Sequence, residues 1–363
     1  MVAPAQPTLT RPPSNEIPPG AVNVLDYGVA GNGITDDAAA IQALINNNAG
    51  TVLWFPAATY KLGSYISLVD NSILQGVPRE SIFSRTPSGG AAQNTVVAYD
   101  KSGFVVQGIK VKGNDPSVDN LDTWGFRFSG CSNGRLTGIY LEGLRDGIKT
   151  ETPTNSNMMF EDITGYHNMM IGYLSNLSSS TLRRWDSWGY YDIATVDTGG
   201  HGIYAAQFNN DNTYEDLKLL NHYSYGFQLY PGEHNRNVFD RIELDGGDSV
   251  GMVIWGNPVE GGGTATVTDT IIRNLTIHES NGAIMFGGNV NTVLIDGFDI
   301  RNSDWMLNTY TNMIPSNVTL RNGHHGGTTW LASGDSITNF TVEGTAIMTA
   351  TPYPVELPEP PRM

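Results

Sequence analysis

The stretch Tyr214–Leu229, YEDLKLLNHYSYGFQL, contains two short patterns whose recurrence decides the architecture of the chain. The second of them, a glycine followed by alternating apolar residues, begins at Gly125 (GFRF), Gly147 (GIKT), Gly172 (GYLS), Gly202 (GIYA), Gly226 (GFQL) and Gly251 (GMVI), at intervals of 22, 25, 30, 24 and 25 residues. The first is an aromatic or aliphatic residue, two polar residues, then Ile or Leu. It recurs as FEDI at Phe160–Ile163, YEDL at Tyr214–Leu217, FDRI at Phe239–Ile242 and IRNL at Ile272–Leu275. Ile163, Leu217 and Ile242 each stand nine residues before the next repeat glycine, so two independent features keep one phase.

A unit of this length holds two or three strands of about four residues and no crossover helix, and it cannot bury an apolar face alone. Stacked as rungs about 4.8 Å apart, such units give every strand a parallel neighbour and one continuous core. The expected fold is therefore all-β, a parallel β-solenoid. Propeller blades repeat at about 40 residues and do not fit. Outside the repeat, Thr35, Asp36 and Asp37 offer N-cap oxygens to Ala38–Ile45, a short helix expected to cover the first rung. Residues 1–20 and 351–363 are Pro-rich and read as extended tails around a single domain spanning 21–350.

The composition agrees. Of 363 residues 42 are Gly and only 15% are charged, which favours turns and strands over solvated helices. The net charge of −16 argues against a nucleic-acid footprint or an anionic membrane surface as partner. No run of eighteen apolar residues occurs, so membrane insertion by a helix is not expected, and no secretory signal pattern is visible. Cys131 is the single cysteine and reads as a small buried apolar residue, with no intrachain disulfide available.

The segment VNVLDYGVAGNGITDDAAAIQALI at Val22–Ile45, followed by GTVLWFPAATYKL from Gly50, resembles the N-terminal entry of the pectate lyase superfamily. The matching positions include Asp26, Tyr27, Gly28, Gly31, Gly33, Asp36, Asp37, Gln42, Pro56 and Tyr60. The resemblance implies a right-handed parallel β-helix with a short N-terminal capping helix. It also implies the functions that superfamily hosts, polysaccharide degradation and the depolymerase activity of bacteriophage tailspikes. Homotrimeric assembly and a place on a virion tail or outside the cell follow by the same resemblance.

Within each glycine-led strand the first residue after Gly is expected to point inward and the second outward. The outward column is then Arg127, Lys149, Leu174, Tyr204, Gln228 and Val253, and two residues on come Ser129, Glu151, Asn176, Ala206, Tyr230 and Trp255. The longest turn, WDSWGYYDIATVDTGGH at Trp185–His201, accounts for the 30-residue interval. Its Trp185, Trp188, Tyr190 and Tyr191, interleaved with Asp186, Asp192 and Asp197, have the composition of a sugar subsite, rings for CH faces and carboxylates for hydroxyls. Arg127, Gln228, Tyr230 and Trp255 join these aromatics as candidate substrate contacts.

Two reaction types fit. Hydrolysis requires two carboxyls flanking one glycosidic bond, drawn from Glu151, Asp186, Asp192, Asp197 and Glu233. β-Elimination or epimerisation of a uronic acid requires a base at C5, from Lys149, His201, Tyr204 or His234, and a cation on the carboxylate, from Arg127 or Arg145. Gly200–Gly202 (GHG) is similar to an element of polygalacturonase-type glycosidases, although their NTD element is missing and RDGIK at Arg145–Lys149 precedes it. YGFQLYPGEH at Tyr225–His234 is similar to the YGFDPHE element of mannuronan epimerases, with Gln228 in place of the acid. No histidine spacing specifies a metal, and no cofactor is expected; a Ca2+ ion of the pectate-lyase kind is compatible but specified by no cluster. The expected function is recognition and cleavage of a polysaccharide. A monomeric lyase, hydrolase or epimerase and a non-catalytic glycan-binding module are the alternatives.

Overall fold

The computed structural model describes residues 16–85, 93–113, 123–189, 200–222, 224–244, 250–256, 266–309, 315–332 and 337–349. They form a right-handed parallel β-helix in which every assigned strand pairing is parallel. Three ladders run along it. Sheet A stacks Gln93–Tyr99, Thr123–Ser129, Asp146–Glu151, Met170–Ser178, Ile203–Asn210, Phe227–Asn235 and Val250–Gly256. Sheets B and C are separate strands in the early coils, such as Val105–Gln107 and Lys110–Lys112, and both pair with the single strand Arg135–Glu142. From there on one strand per coil serves both sheets, as in Met159–Asn168, Thr181–Gly189 and Thr213–Leu220.

What bends these strands is a single residue per coil in the left-handed region. The bend column is Gly108, Gly138, Asp162, Arg184, Asp216, Arg241, Asn274, Gly297 and Asn322, with φ between +50° and +76°. Gly, Asn and Asp tolerate this conformation best, which is why the polar pair inside FEDI, YEDL and IRNL contains them. The final Ile or Leu of the same element returns to the interior as the column Ile139, Ile163, Trp185, Leu217, Ile242 and Leu275.

The repeat glycines serve a different purpose. A Cβ on Gly125 or Gly202 would strike the carbonyl oxygen of Gly147 or Gly226 on the next rung, and one on Gly147 would lie 2.7 Å from the Ile171 oxygen. The residue after the glycine is inward, as expected: Phe126, Ile148, Ile203, Phe227 and Met252 are fully buried. Phe104, Phe128 and Phe160 stack through the core at 5.2 and 6.0 Å, each burial contributing about 1.5–3 kcal/mol.

Gly172 breaks the phase. Here Ile171 occupies the glycine column and Gly172 the inward one, so Tyr173 faces out beside Lys149 and Leu174 is buried. The outward assignment of Leu174 is corrected accordingly. Buried corners are satisfied by side chains: the Asn212 N–H donates to Asn237 Oδ1 (3.0 Å), and Asn212 Nδ2 donates to the Leu177 carbonyl (2.9 Å). Cys131 is buried in the core.

The helix spans Ala38–Asn47 and buries Ile41, Leu44 and Ile45 over the first coil. Its Gln42 exchanges two hydrogen bonds with the edge backbone of Ser67, 2.9 and 2.6 Å, which blunts an otherwise open strand edge. The two acids before it divide the work. Asp36 accepts from the Ala38 and Gly63 N–H groups, whereas Asp37 holds the Ala30 and Gly31 N–H groups at 2.7 and 3.0 Å and makes no cap bond. No helix among the described residues is long and apolar enough to cross a membrane.

Candidate functional site

The sheet A ladder skips the repeat-glycine position, pairing Trp124 with Asp146 and Phe126 with Ile148, and the inward-outward alternation is broken there. The residue immediately before that position, in the aligned column Trp124, Asp146, Met170, His201 and Tyr225, gathers on the same side as the outward column Arg127, Lys149, Tyr173, Tyr204 and Gln228. The two columns interleave. The Lys149 ammonium sits 4.0 Å above the Trp124 ring and 4.7 Å from the Tyr173 ring. Tyr173 stacks on Tyr204 at 5.2 Å, His201 on Tyr204 and Tyr225 at 5.3 and 5.2 Å, and Tyr204 meets Tyr230 at 4.9 Å, with Trp255 beyond.

This aromatic run lines a cleft of about 450 Å³ whose walls include Arg145, Met170, Tyr173, His201, Tyr225 and Trp255. A second cleft of about 280 Å³, with Lys149, Glu151, Ser175 and Gln207, shares Tyr173 with the first. Together they form a groove that spans several successive rungs of sheet A.

Burial tunes the titratable groups. Desolvation, partly offset by Asp146 and Glu151, lowers the Lys149 pKa and so raises its neutral fraction. Burial raises the Tyr173 and Tyr204 phenols, keeping them protonated, and depresses His201 to about 4, keeping it neutral. The Tyr225 N–H donates to His201 Nδ1 at 3.4 Å, which places the imidazole proton on Nε2. Asp146 is 2% exposed, its Oδ1 has no hydrogen-bond partner among the described residues, and burial lifts its pKa to about 6.

Of the residues singled out in the sequence, Arg127, Lys149, Glu151, His201, Tyr204, Gln228, Tyr230 and Trp255 come together on this face. Glu151 is engaged by Arg127, whose Nε and Nη2 lie 2.8 and 2.7 Å from Oε1. Trp185 does not join them. It is 1% exposed and donates its indole N–H to the Phe160 carbonyl at 3.0 Å, so it is a core residue and not a sugar contact. Its strand runs through Gly189, where the sequence reading expected a turn.

Asp186 and Trp188 lie on sheet C, beside Lys218 and Leu220. Glu233 sits beyond the cleft, accepting from Asn210 and Asn235 at 3.2 and 3.0 Å. His234 is fully buried, with Nε2 2.6 Å from the Tyr230 carbonyl oxygen, and cannot reach a substrate. Tyr190, Tyr191, Asp192 and Asp197 lie outside the described residues.

Two of the acids near the groove do not oppose one another. Asp146 and Glu151 are five residues apart on one strand, about 16 Å at 3.3 Å per residue, beyond the separation that brackets a glycosidic bond. Asp186 belongs to a different sheet. Among the described residues, no group of three or more His, Cys, Asp or Glu is arranged to hold a metal ion. Sequence reasoning missed Trp124, Asp146, Tyr173 and Tyr225. The signal for three of them was their place directly before or close to a repeat glycine.

Comparison with curated proteins gives no match. Solved structures give distant likenesses that show the fold. The Azotobacter vinelandii mannuronan C-5 epimerase AlgE6 A-module is 15% identical with a TM-score of 0.57, covering 92% of this chain and 100% of its own. The Streptococcus pneumoniae surface adhesin PfbA is 10% identical with a TM-score of 0.67, covering 90% of each chain. The enzymatically active domain of bacteriophage CBA120 tailspike protein 2 is 14% identical with a TM-score of 0.55, covering 83% of this chain and 47% of its own. The family described as Rhamnogalacturonase A/epimerase, pectate lyase-like, matches residues 21–305, the coils that carry the whole sheet A groove, and the chain belongs to that family.

Proposed function

We propose that the protein binds a uronate-containing polysaccharide along sheet A and cleaves it by β-elimination. The observation that carries this reading is the Lys149 ammonium held between Trp124 and Tyr173 at the junction of the two clefts. Lys149, with its lowered pKa, takes the C5 proton. The electron pair passes toward the sugar carboxylate, whose charge Arg145 and the His201 Nε2–H offset, and then forms the C4–C5 double bond as the C4–O4 bond breaks. The protonated phenol of Tyr173 gives its proton to the departing O4. Tyr204, Tyr225, Tyr230 and Trp255 hold flanking sugar rings by their faces.

The likeness to a phage tailspike domain supports a setting outside the cell or on a virion tail, with a homotrimer as the assembly. The test is incubation with polyuronates and uronate-bearing capsular polysaccharides. Elimination predicts a near-ultraviolet absorbance that rises in step with new chain ends. New reducing ends without that absorbance would replace elimination by hydrolysis, and an altered C5 configuration without cleavage would replace it by epimerisation. The likeness to PfbA supports a second reading, a glycan-binding module without catalysis, which predicts retention on the glycan with no product. Light scattering checks the trimer.

A further inference from the structure

The bend between sheets B and C carries a third cleft, on a different part of the coil from sheet A and independent of the chemistry there. It has a volume of about 450 Å³ and is lined by Gly108, Gly138, Arg135, Tyr140, Thr164 and Arg184 among others. The cleft exists because two successive positions of the bend column are glycines, where the next two rungs carry Asp162 and Arg184.

The other described glycines of this column, with Gly344 on the rung after Asn322, are crowded, Gly108 by fixed backbone and the others by an Asn side chain. A Cβ on Gly108 would lie 2.5 Å from the Gly76 oxygen, one on Gly297 3.1 Å from Asn274 Oδ1, and one on Gly344 would strike the Asn322 side chain. Gly138 differs. A Cβ there meets nothing nearer than the Gly108 nitrogen at 3.9 Å, and its φ of +62° is one that Asp162, Asp216, Asn274 and Asn322 adopt in the same column. The fold would accept Asn or Asp at 138, and the glycine leaves the cleft open.

The walls carry Arg135 and Arg184 together with Glu161 and Asp162, and Arg183 and Arg79 lie just outside the lining. Arg135, Arg183 and Arg184 converge on the one carboxylate of Glu161, with Asp162 taking part of Arg184, so three guanidiniums face two carboxylates. Arg135 uses Nε on Thr137 Oγ1 (3.0 Å) and Nη2 on Glu161 (2.8 Å), which leaves Nη1 without a protein acceptor among the described residues. Arg79 adds a further cation 4.6 Å above the Tyr140 ring. In a chain of net charge −16 a local excess of cations around a sugar-sized cleft is a recognition feature.

We infer that this cleft is a second carbohydrate site that takes one acidic sugar unit by its anionic group, holding a long chain while sheet A works on another part of it. The test uses Lys149→Ala/Trp255→Ala protein, in which the sheet A groove is disabled, titrated calorimetrically with a uronate oligosaccharide. Binding is expected to persist there, to be displaced by inorganic sulfate, and to weaken about tenfold on adding Gly138→Asn, the loss of one charge-assisted contact. Gly138→Asp, which also adds a repelling charge, should weaken it further. An unchanged affinity in Gly138→Asn, or equal affinity for a neutral oligosaccharide, would overturn the proposal. Hydrogen exchange on the unmutated chain gives a check free of folding effects: the ligand should protect strands 135–140 and 161–166, and no protection there would also overturn it.

Discussion

The outer face of sheet A and the bend between sheets B and C are built from the same repeating coil, yet they treat charge in opposite ways. Along the bend, apart from the open Arg135 Nη1 in its cleft, charges are paired with charges: Glu161 with three arginines, Arg241 with Glu215, Asp216 and Asp240, and Arg321 with Asp296. On sheet A the central charge, Lys149, lies against aromatic rings and makes no ion pair within 4.0 Å among the described residues. Asp146 nearby is buried with an unpartnered oxygen. A paired rib holds its own geometry. An under-paired, desolvated face stores electrostatic free energy that a bound anion and a developing charge can use, which is the arrangement expected of a working site.

The largest effect that would test this contrast is on activity. Lys149→Ala should reduce turnover of the cleaved polyuronate by about 10²–10⁴-fold, the range for loss of a general base. It should leave the urea midpoint within error. A large loss of stability instead would mean that Lys149 belongs with the rib. The reverse is expected at the bend. Glu161→Gln leaves three guanidiniums without their shared carboxylate, and because they keep partial water contact the expected loss is about 3 kcal/mol of stability, read by urea denaturation, with turnover unchanged for an oligosaccharide too short to reach the bend.

A change of opposite sign is expected at Asp146. Its carboxyl binds a proton up to about pH 6 in the folded protein but only up to its ordinary value of 3.8 when unfolded. Between these values the folded state holds more protons, so stability falls as pH rises through that window and the penalty is complete above it. Asp146→Asn removes the penalty. It should stabilise the protein by about 3 kcal/mol at pH 7 and by little at pH 4, as a set of thermal melts across pH would show. A stabilising substitution that lowers turnover would identify Asp146 as strain kept for function. The smallest effect is at the exposed end of the rib, where Arg241→Ala should shift the urea midpoint by less than its error, since exposed pairs are screened by water and salt.

How much of this was legible beforehand differs residue by residue. The repeat glycines and the apolar residue after each were readable because a parallel stack imposes the same steric demand at every rung. Trp185 was readable too, since Leu182-Arg183-Arg184-Trp185 copies FEDI with Trp in the place of Ile, but its neighbourhood of aromatics and acids imitated a sugar subsite. Tyr173 was not readable. A one-residue change of phase at Gly172 exchanges inward and outward positions, and only pairing with the rungs on either side shows that it has happened. Trp124, Asp146 and Tyr225 were hidden because period-two alternation assigns them inward, and the break in alternation at the glycine position is visible only in the stack.

The sequence by itself therefore determined the solenoid, its capping helix, its bends and most of its core, because those follow from local propensity and a periodic pattern repeated many times. Only the tertiary structure decided which side chains share a groove. That depends on register between strands about 25 residues apart, on the desolvation each rung imposes on the next, and on empty places such as the one at Gly138, which no single coil contains.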